Sequence, residues 1–480
     1  MAMFETEHEW PSSTRVTSIP PSSSLPFCRQ PIHGRGNGLI ATRPIKVGDG
    51  LFTEIPFVWS SLKGPRLARG KHNEKGARGS CENCGRWFDL DALAVCGGEC
   101  GLSFCSRECL DTALSTYHSQ TVCTASKPGG PIEQLVEAGT EMKDANFAGH
   151  LLCAVKVLAM IATKAASEYD AATRGAAFCP GEEAKAAGVA VARATSHCLE
   201  HWDNPQSTRC SHAFRTGRVP GLDDEMFADM LQPSYFDGQL RWALRLLQSR
   251  DMFGGLLENQ GGEASGCNAG GAPAAAVATA PLEAAFFETC LGDDGAFFDS
   301  LMGTFTTNNQ CVRIEDIYDQ DTAHGRSPGG DGSGGGGGNT GHMTSDGGVM
   351  EGTAMYACYA MLNHACVPSI RNDPLIRKAP AVPGQEGEEV GSEGVGVNVF
   401  AARDIAEGEE IFTYYGGSGS EESGQCSAPG DVGVGDNEAA GRAKEKATRR
   451  RRAKLKQYLF TCRCELCGEE SDDSDAEDSD

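Results

Sequence analysis

Long apolar runs are missing from this 480-residue sequence. No stretch of about 18 consecutive apolar residues occurs, so neither a transmembrane helix nor a membrane partner is expected. The N-terminus is polar and acidic and lacks the apolar segment of a secretory signal, so the chain is not expected to be exported.

Basic charge is also scarce. There are 42 Lys and Arg residues against 66 Asp and Glu residues, which gives a net charge of −24. An acidic protein repels nucleic acid, so no direct nucleic-acid binding is expected. A lysine-rich partner, such as a histone or a ribosomal-type protein, fits the charge better, although simple solubility explains it equally well.

Cysteine, in contrast, is abundant, with 21 residues. In a chain without a secretory signal, clustered cysteines are typical of metal ligands rather than disulfides. Residues 81–123 contain eight soft ligands and too little apolar sequence for a core, so bound zinc is expected to supply the folding free energy. The eight candidates are Cys81, Cys84, Cys96, Cys100, Cys105, Cys109, His118 and Cys123.

A second group of polar residues lies towards the C-terminus. Asn363 and His364 are followed by Cys366 and a proline, which by themselves fit a buried polar corner. Further on, Cys462, Cys464 and Cys467 form a set that lacks the fourth ligand of a zinc site, and Cys366 is the candidate for it.

Glycines near the N-terminus allow two interpretations. Short apolar runs separated by Gly and Pro over residues 33–58 predict a small β-sheet. Gly36 and Gly38 would let a ligand approach the backbone closely, but a plain hairpin turn explains them too. They do not form a dinucleotide fingerprint, because no helix follows.

Taken together, these segments resemble the SET-domain protein lysine methyltransferases. The stretch Asn363–Ser369 is similar to the family motif Asn-His-Ser-Cys-x-Pro-Asn, from which it departs at Ala365 and Ser369. The segment ending at Tyr415 is similar to the one that carries the catalytic tyrosine, and the last three cysteines are similar to the post-SET cysteines.

The resemblance implies protein-lysine methylation with S-adenosyl-L-methionine as the cofactor and Tyr415 as the catalytic residue. The implied cofactor contacts are Arg35, Gly36, Asn37, Gly38, Asn363, His364, Tyr415 and Phe460. The implied ligands of a post-SET zinc are Cys366, Cys462, Cys464 and Cys467, which brings the expected structural zinc ions to three.

The cysteine-rich segment resembles a MYND zinc finger, a protein-binding module whose ligands interleave. That pattern implies a first site of Cys81, Cys84, Cys105 and Cys109 and a second of Cys96, Cys100, His118 and Cys123, the last gap being one residue longer than usual. A finger inserted into a SET domain is the layout of the SET-and-MYND family. The acidic end, with no helical repeat domain before it, most resembles the member-five branch.

The predicted fold class is α+β, with a mostly β SET core split by the finger and by a helical insert whose apolar helices are expected over 131–169 and 223–258. The predicted divisions are a disordered leader over 1–25, the SET halves over 26–80 and 351–461, the finger over 81–123, the insert with its low-complexity loops over 124–350, the post-SET zinc motif over 462–467 and an acidic disordered tail over 468–480.

Two functions remain open from the sequence. The retention of Tyr415, Asn363, His364 and the glycine loop favours a protein-lysine (histone-lysine) methyltransferase. The departures at Ala365 and Ser369 and the long loops favour a catalytically inactive MYND/SET interaction scaffold. The basic run at 449–452 is typical of a nuclear signal or of a solvated helix face, so the expected location is the nucleus, the cytoplasm or both.

Overall fold

The structure, a computed structural model, describes residues 16–18, 25–32, 35–61, 78–85, 87–89, 94–96, 98, 100–118, 120–127, 129–135, 145–174, 180–199, 202, 242–248, 280–292, 295–308, 310–313, 350–378, 391–415, 455, 462 and 464. The predicted acidic tail, most of the predicted leader, Phe460 and Cys467 lie outside these residues.

The SET core predicted from the sequence is built from three small sheets, and the described residues around the finger form two further sheets of two strands each. In chain order the strands are β1 (Val16–Ser18), β2 (Phe27–Ile32), β3 (Gly36–Ala41), β4 (Gly50–Glu54), β5 (Val58–Ser61), β6 (Arg78–Ser80), β7 (Trp87–Asp89), β8 (Ala94–Val95), β9 (Ser103–Phe104), β10 (Gln310–Arg313), β11 (Met350–Met355), β12 (Asn363–His364), β13 (Ile370–Lys378), β14 (Gly391–Ala401) and β15 (Glu410–Thr413). The sheets have the orders β1-β4-β14-β13, β10-β11-β5 and β12-β15-β3-β2. β12 pairs with β15 in parallel, and the other pairs in these sheets are antiparallel. The strands β3, β4 and β5 confirm the β structure predicted over residues 33–58, but the prediction of one small sheet was wrong, because each of these strands pairs in a different one of the three sheets.

Two segments of this core, residues 41–53 and 401–413, are copies of one unit. Both begin with Ala, share Arg, Ile and Gly at equivalent positions, and end in Phe-Thr. In each copy a glycine holds the turn at positive φ, 86° at Gly48 and 80° at Gly408. This conformation suits the third position of a type II turn and strains other residues. The acidic residue after each glycine accepts a hydrogen bond from the first amide of its own turn.

The two copies are joined around a pseudo-twofold axis. The amide of Ile45 donates to the carbonyl of Ile405 at 2.9 Å, and the reverse bond has the same length. The amide of each turn glycine donates to the alanine that begins the other copy. The copies therefore hold each other in register, which sets β4 against β14 and β3 against β15.

The insert is helical, as expected. Its helices and those of the finger are α1 (Arg107–Thr116), α2 (Gln120–Ala125), α3 (Ala145–Thr173), α4 (Pro180–Leu199), α5 (Ala280–Cys290) and α6 (Ala296–Asn308). The helix predicted over 131–169 is largely α3, whereas only 242–247 of the second predicted segment is seen as helix within the described residues. The sequence reasoning did not anticipate α4.

Helix α3 forms the centre of a second hydrophobic core. Every residue from 149 to 162 is buried, as expected for a helix that packs on several faces. By length and hydropathy Gly149–Thr173 could also cross a membrane, but 83% of the apolar window is buried inside the protein. That burial is typical of a core helix.

Candidate active site

The predicted Asn-His motif and the predicted tyrosine meet where two chain segments cross. Asn363 pairs with Phe412 and His364 pairs with Thr413 in the parallel β12–β15 bridge. The amide of Ala365 continues the bridge by donating to the carbonyl of Thr413 at 2.9 Å. This crossing brings together residues about 50 positions apart and places Tyr415 directly beyond it.

Ser369, one of the two departures from the family motif, stabilises this crossing. Its side chain is buried, and its Oγ accepts the amide of Phe412 at 2.7 Å. The backbone amide of Ser369 donates to the carbonyl of Phe412 at 3.0 Å. The serine therefore satisfies both backbone groups of Phe412, so this departure leaves the strand crossing intact.

The glycine loop lies against the same crossing, because β3 pairs with β15. The Nδ2 of Asn363 donates to the carbonyl of Asn37 at 3.2 Å and to Oε1 of Glu410 at 2.8 Å. A Cβ atom added at Gly38 would lie 3.0 Å from Asn363 Nδ2 and 2.7 Å from Ile32 Cγ1. A side chain at position 38 would thus overlap Ile32 and press against the asparagine, so glycine is favoured here by packing.

Arg35 and Glu410 lie in the same group of residues. Together with Asn37, Gly38 and Asn363 they form what we call the corner. Arg35 Nη1 lies 3.0 Å from Glu410 Oε2, and the guanidinium carbon lies 5.6 Å from the centre of the Phe412 ring. Glu410 was not among the residues selected from the sequence. The predicted contacts Arg35, Asn37, Gly38 and Asn363 are therefore brought together, with Glu410 among them.

Tyr415 is fixed by hydrogen bonds from both its side-chain hydroxyl and its backbone amide. Its hydroxyl donates to the carbonyl of Leu362 at 2.8 Å, and its amide donates to Nδ1 of His364 at 3.1 Å. The single hydroxyl hydrogen is directed to Leu362, so towards any other group the oxygen acts as an acceptor. The side chain packs against Cys366, Leu455 and Cys462.

The hydrogen bonds of His364 define its tautomer. A backbone amide can only donate, so Nδ1 carries a lone pair and the neutral ring carries its proton on Nε2. Nε2 lies 3.5 Å from Cys366 Sγ and is therefore directed at the sulfur as a donor. His364 thus holds Tyr415 and supports a cysteine, and both ring nitrogens are engaged, which argues against a role as a general base.

A cluster of three possible metal ligands lies close to Tyr415. The ligand atoms of His364, Cys366 and Cys462 lie within 4.8 Å of one another. The two sulfurs are 3.8 Å apart, and Cys464 packs against the cluster. Hydrogen bonds with Cys366 and His364 lower the pKa of Cys462 to about 3, which favours the thiolate that binds metal. The four-cysteine set remains a prediction, since Cys467 lies outside the described residues.

The finger contains two further clusters. Cys81, Cys84, Cys105 and Cys109 form one, and Cys96, Cys100, His118 and Cys123 form the other. These are the two interleaved sets that the resemblance implies. The sulfur–sulfur distances of 3.6 and 3.7 Å match the tetrahedron edge of about 3.8 Å that follows from a Zn–S bond of about 2.3 Å. They are too long for disulfides, so the donor sets fit zinc.

Gly98 was also missed from the sequence. Its amide donates to Cys96 Sγ at 3.4 Å, and a Cβ atom added there would overlap Cys123 Sγ. The backbone thus approaches the second cluster in a way that only glycine permits.

Glu54, a further residue that sequence reasoning missed, supports the segment before Asn363. It is fully buried and accepts the amides of Ala357, Cys358 and Tyr359 at 2.8, 2.8 and 2.9 Å. These residues lead into the short 3₁₀ helix Tyr359–Met361. Burial raises the pKa of Glu54 to about 7, although the three amides act in the opposite direction.

The SET domain pattern matches residues 36–416, which is most of the chain. The chain belongs to the SET domain family.

One relative of this SET domain protein is the protein-lysine N-trimethyltransferase SMYD5 of Gallus gallus. The two are 29% identical over an alignment of 130 residues that covers 22% of this chain. The match spans 30% of the relative's own length. Within the SET domain, the two finger clusters agree with the SET-and-MYND layout.

Proposed function

We propose that this protein is an S-adenosyl-L-methionine-dependent protein-lysine N-methyltransferase. The observation that carries the proposal is the fixed Tyr415 hydroxyl, 2.8 Å from the carbonyl of Leu362 and next to the Asn363–Gly38 corner. Membership of the SET domain family and the named activity of the chicken relative support it.

The corner suits the cofactor in chemistry as well as in position. Arg35 offers a guanidinium to a carboxylate, and the β3 backbone is bare of side chains at Gly36 and Gly38. When bound, S-adenosyl-L-methionine supplies a methyl group carried on a positively charged sulfur. The described residues proposed to hold it are Arg35, Gly36, Asn37, Gly38, Asn363, His364 and Tyr415, and Phe460 is proposed from the resemblance alone.

The role of Tyr415 follows from its hydrogen bonds. With its proton directed to Leu362, the oxygen can accept a hydrogen from the substrate amine and weak C–H contacts from a polarised methyl group. Both contacts orient the reacting atoms. The main requirement of methyl transfer to an amine is that the nitrogen lies in line with the methyl carbon, about 3–3.5 Å from it. A lysine in an apolar channel loses its proton readily because desolvation lowers its pKa.

The zinc ions in this proposal are structural. Each finger cluster supplies four ligands, which leaves no open position for catalysis. A third zinc, proposed to be bound by Cys366, Cys462, Cys464 and Cys467, would pin the C-terminal segment beside Tyr415. The substrate is proposed to be a lysine-rich protein such as a histone or ribosomal-type protein, in the nucleus or the cytoplasm, with a separate protein ligand for the finger.

Calorimetric titration of the zinc-loaded protein with S-adenosyl-L-methionine tests the proposal. We expect saturable one-to-one binding that Asn363→Ala abolishes and that the control Asn398→Ala retains, since Asn398 contacts Thr53 in the other sheet. Absence of binding in folded, zinc-loaded wild-type protein would overturn the enzyme proposal and favour the interaction scaffold.

A further inference from the structure

Glu410 joins the two side chains on which the proposed cofactor corner depends. Its Oε2 accepts from Arg35 and its Oε1 accepts from Asn363. The carboxylate is mostly buried, at 13% exposure, whereas the Arg35 side chain is 53% exposed. One fixed anion therefore holds both a largely exposed cation and a partly buried amide.

The internal repeat separates this role from folding. In the first copy of the repeat, Gly50 stands where the second copy has Glu410. The turn is maintained instead by the preceding acidic residue, Asp49 in one copy and Glu409 in the other. Because a glycine suffices at the equivalent position, the repeat unit itself does not need the Glu410 carboxylate.

Glu410 also fixes which way the Asn363 amide faces. Both amide hydrogens are used, one on the carbonyl of Asn37 and one on Glu410. A reversed amide would direct Oδ1 at the carboxylate, which is repulsive. The side-chain oxygen Oδ1 of Asn363 is thus held in one orientation by the same carboxylate that binds Arg35.

We propose that Glu410 is a positioning residue that prepares this corner for a zwitterion, namely the amino acid half of the cofactor. This inference rests on the proposed function. Arg35, held in place, offers its remaining N–H donors to the ligand carboxylate, and the oriented Asn363 oxygen accepts from the ligand ammonium. Holding both groups in place before binding reduces the ordering cost of association.

The test compares two ligands and two variants. S-Adenosyl-L-methionine carries the amino acid half, and 5′-deoxy-5′-methylthioadenosine is the same kind of nucleoside without it. Their affinities are measured by calorimetry, with competition titrations for the weaker ligand, for wild type, Glu410→Gln and Glu409→Gln. Glu409 is the matched control because it also pairs with an arginine, Arg403, at the neighbouring position.

We expect Glu410→Gln to weaken S-adenosyl-L-methionine at least about tenfold and to leave methylthioadenosine within about twofold, because only the first ligand uses the corner. Glu409→Gln should leave both affinities unchanged. Equal weakening of both ligands in Glu410→Gln would mean a purely structural role, and no change in either would mean no role; both overturn the inference. Failure of the wild type to bind either ligand is a different result, which overturns the proposed function itself.

Discussion

The ammonium of Lys156 lies 2.6 Å from Glu82 Oε1 in the interior of the protein, with the two side chains 8% and 15% exposed. The same Nζ donates to the carbonyls of Glu82 and Trp59, at 2.9 and 2.5 Å, and lies 5.2 Å from the centre of the Tyr117 ring. One lysine of α3 therefore ties the first loop of the zinc finger to strand β5 of the SET core.

Lys156→Met should destabilise the protein strongly. Loss of the ammonium leaves the Glu82 carboxylate and two buried carbonyls without their cation, which costs about 3–5 kcal/mol of unfolding free energy. Chemical denaturation of the zinc-loaded protein measures the change. The control is Lys164→Met on the same helix, where the pair with Glu168 is half exposed and a change within about 0.5 kcal/mol is expected. Equal effects of the two variants would contradict a special role for Lys156.

Tyr415→Phe should reduce methyl transfer by about 10²–10³-fold, the usual cost of losing one well-placed polar group. Cofactor affinity should stay within about threefold, since the ring and backbone contacts remain. Radiolabel transfer to unfractionated histones and calorimetric titration measure the two quantities. Tyr414→Phe, which alters the neighbouring hydroxyl, is the control, and unchanged turnover in Tyr415→Phe would remove Tyr415 from its role.

Cys105→Ser should lower the zinc content by about one ion per chain, because the site loses one of its four thiolates and serine is a poor zinc ligand. Cys464→Ser tests the third centre in the same way. Elemental analysis after dialysis gives the zinc count, and Cys28→Ser, a cysteine outside the clusters, is the control. If Cys464→Ser keeps the wild-type zinc content, the third centre does not use that residue.

Glu54 should make stability depend on pH. The folded protein holds the Glu54 proton up to a pKa of about 7, whereas the unfolded chain releases it near 4.5. The folded state binds more protons between these values, so the unfolding free energy falls as pH rises from about 4.5 to about 7, by on the order of 3 kcal/mol, and is flat above.

Urea denaturation of wild type and Glu54→Gln across this range isolates the effect, since other titrating groups are shared. Glutamine cannot ionise, so the advantage of wild type over Glu54→Gln should shrink as pH rises. A constant difference between the two proteins would show that Glu54 does not titrate in this range.

Local motifs accounted for much of the site. The ligand clusters of the finger, Asn363, His364 and Tyr415 could all be selected from short sequence patterns, and the family resemblance supplied the interleaving. Glu410 and Gly98 could not be selected in this way. The role of Glu410 depends on which strand lies beside Gly38, and the role of Gly98 depends on how closely the backbone approaches a cysteine sulfur. Residues adjacent in sequence carry no information about either.

One signal was present in the sequence and would have helped. The repeat of residues 41–53 at 401–413 predicts two paired turns, and aligning the copies sets Gly50 against Glu410. That comparison would have marked Glu410 as the acidic residue that the turn does not need. Helix α4 was missed for another reason: its alanine-rich surface has weak apolar periodicity, and its burial comes from packing on α3 and α5.

The pairing of the two copies also bears on when the active site can form during synthesis. Thr53 and its partner Asn398 are 345 residues apart, about 20–70 s of translation at about 5–20 residues per second. During that interval β4, β5 and β3 lack their later partners β14, β11 and β15, while the finger already has all its ligands and can fold on zinc. The cofactor corner would therefore be among the last parts of the nascent chain to form, and the supply of zinc would matter long before any cofactor could bind.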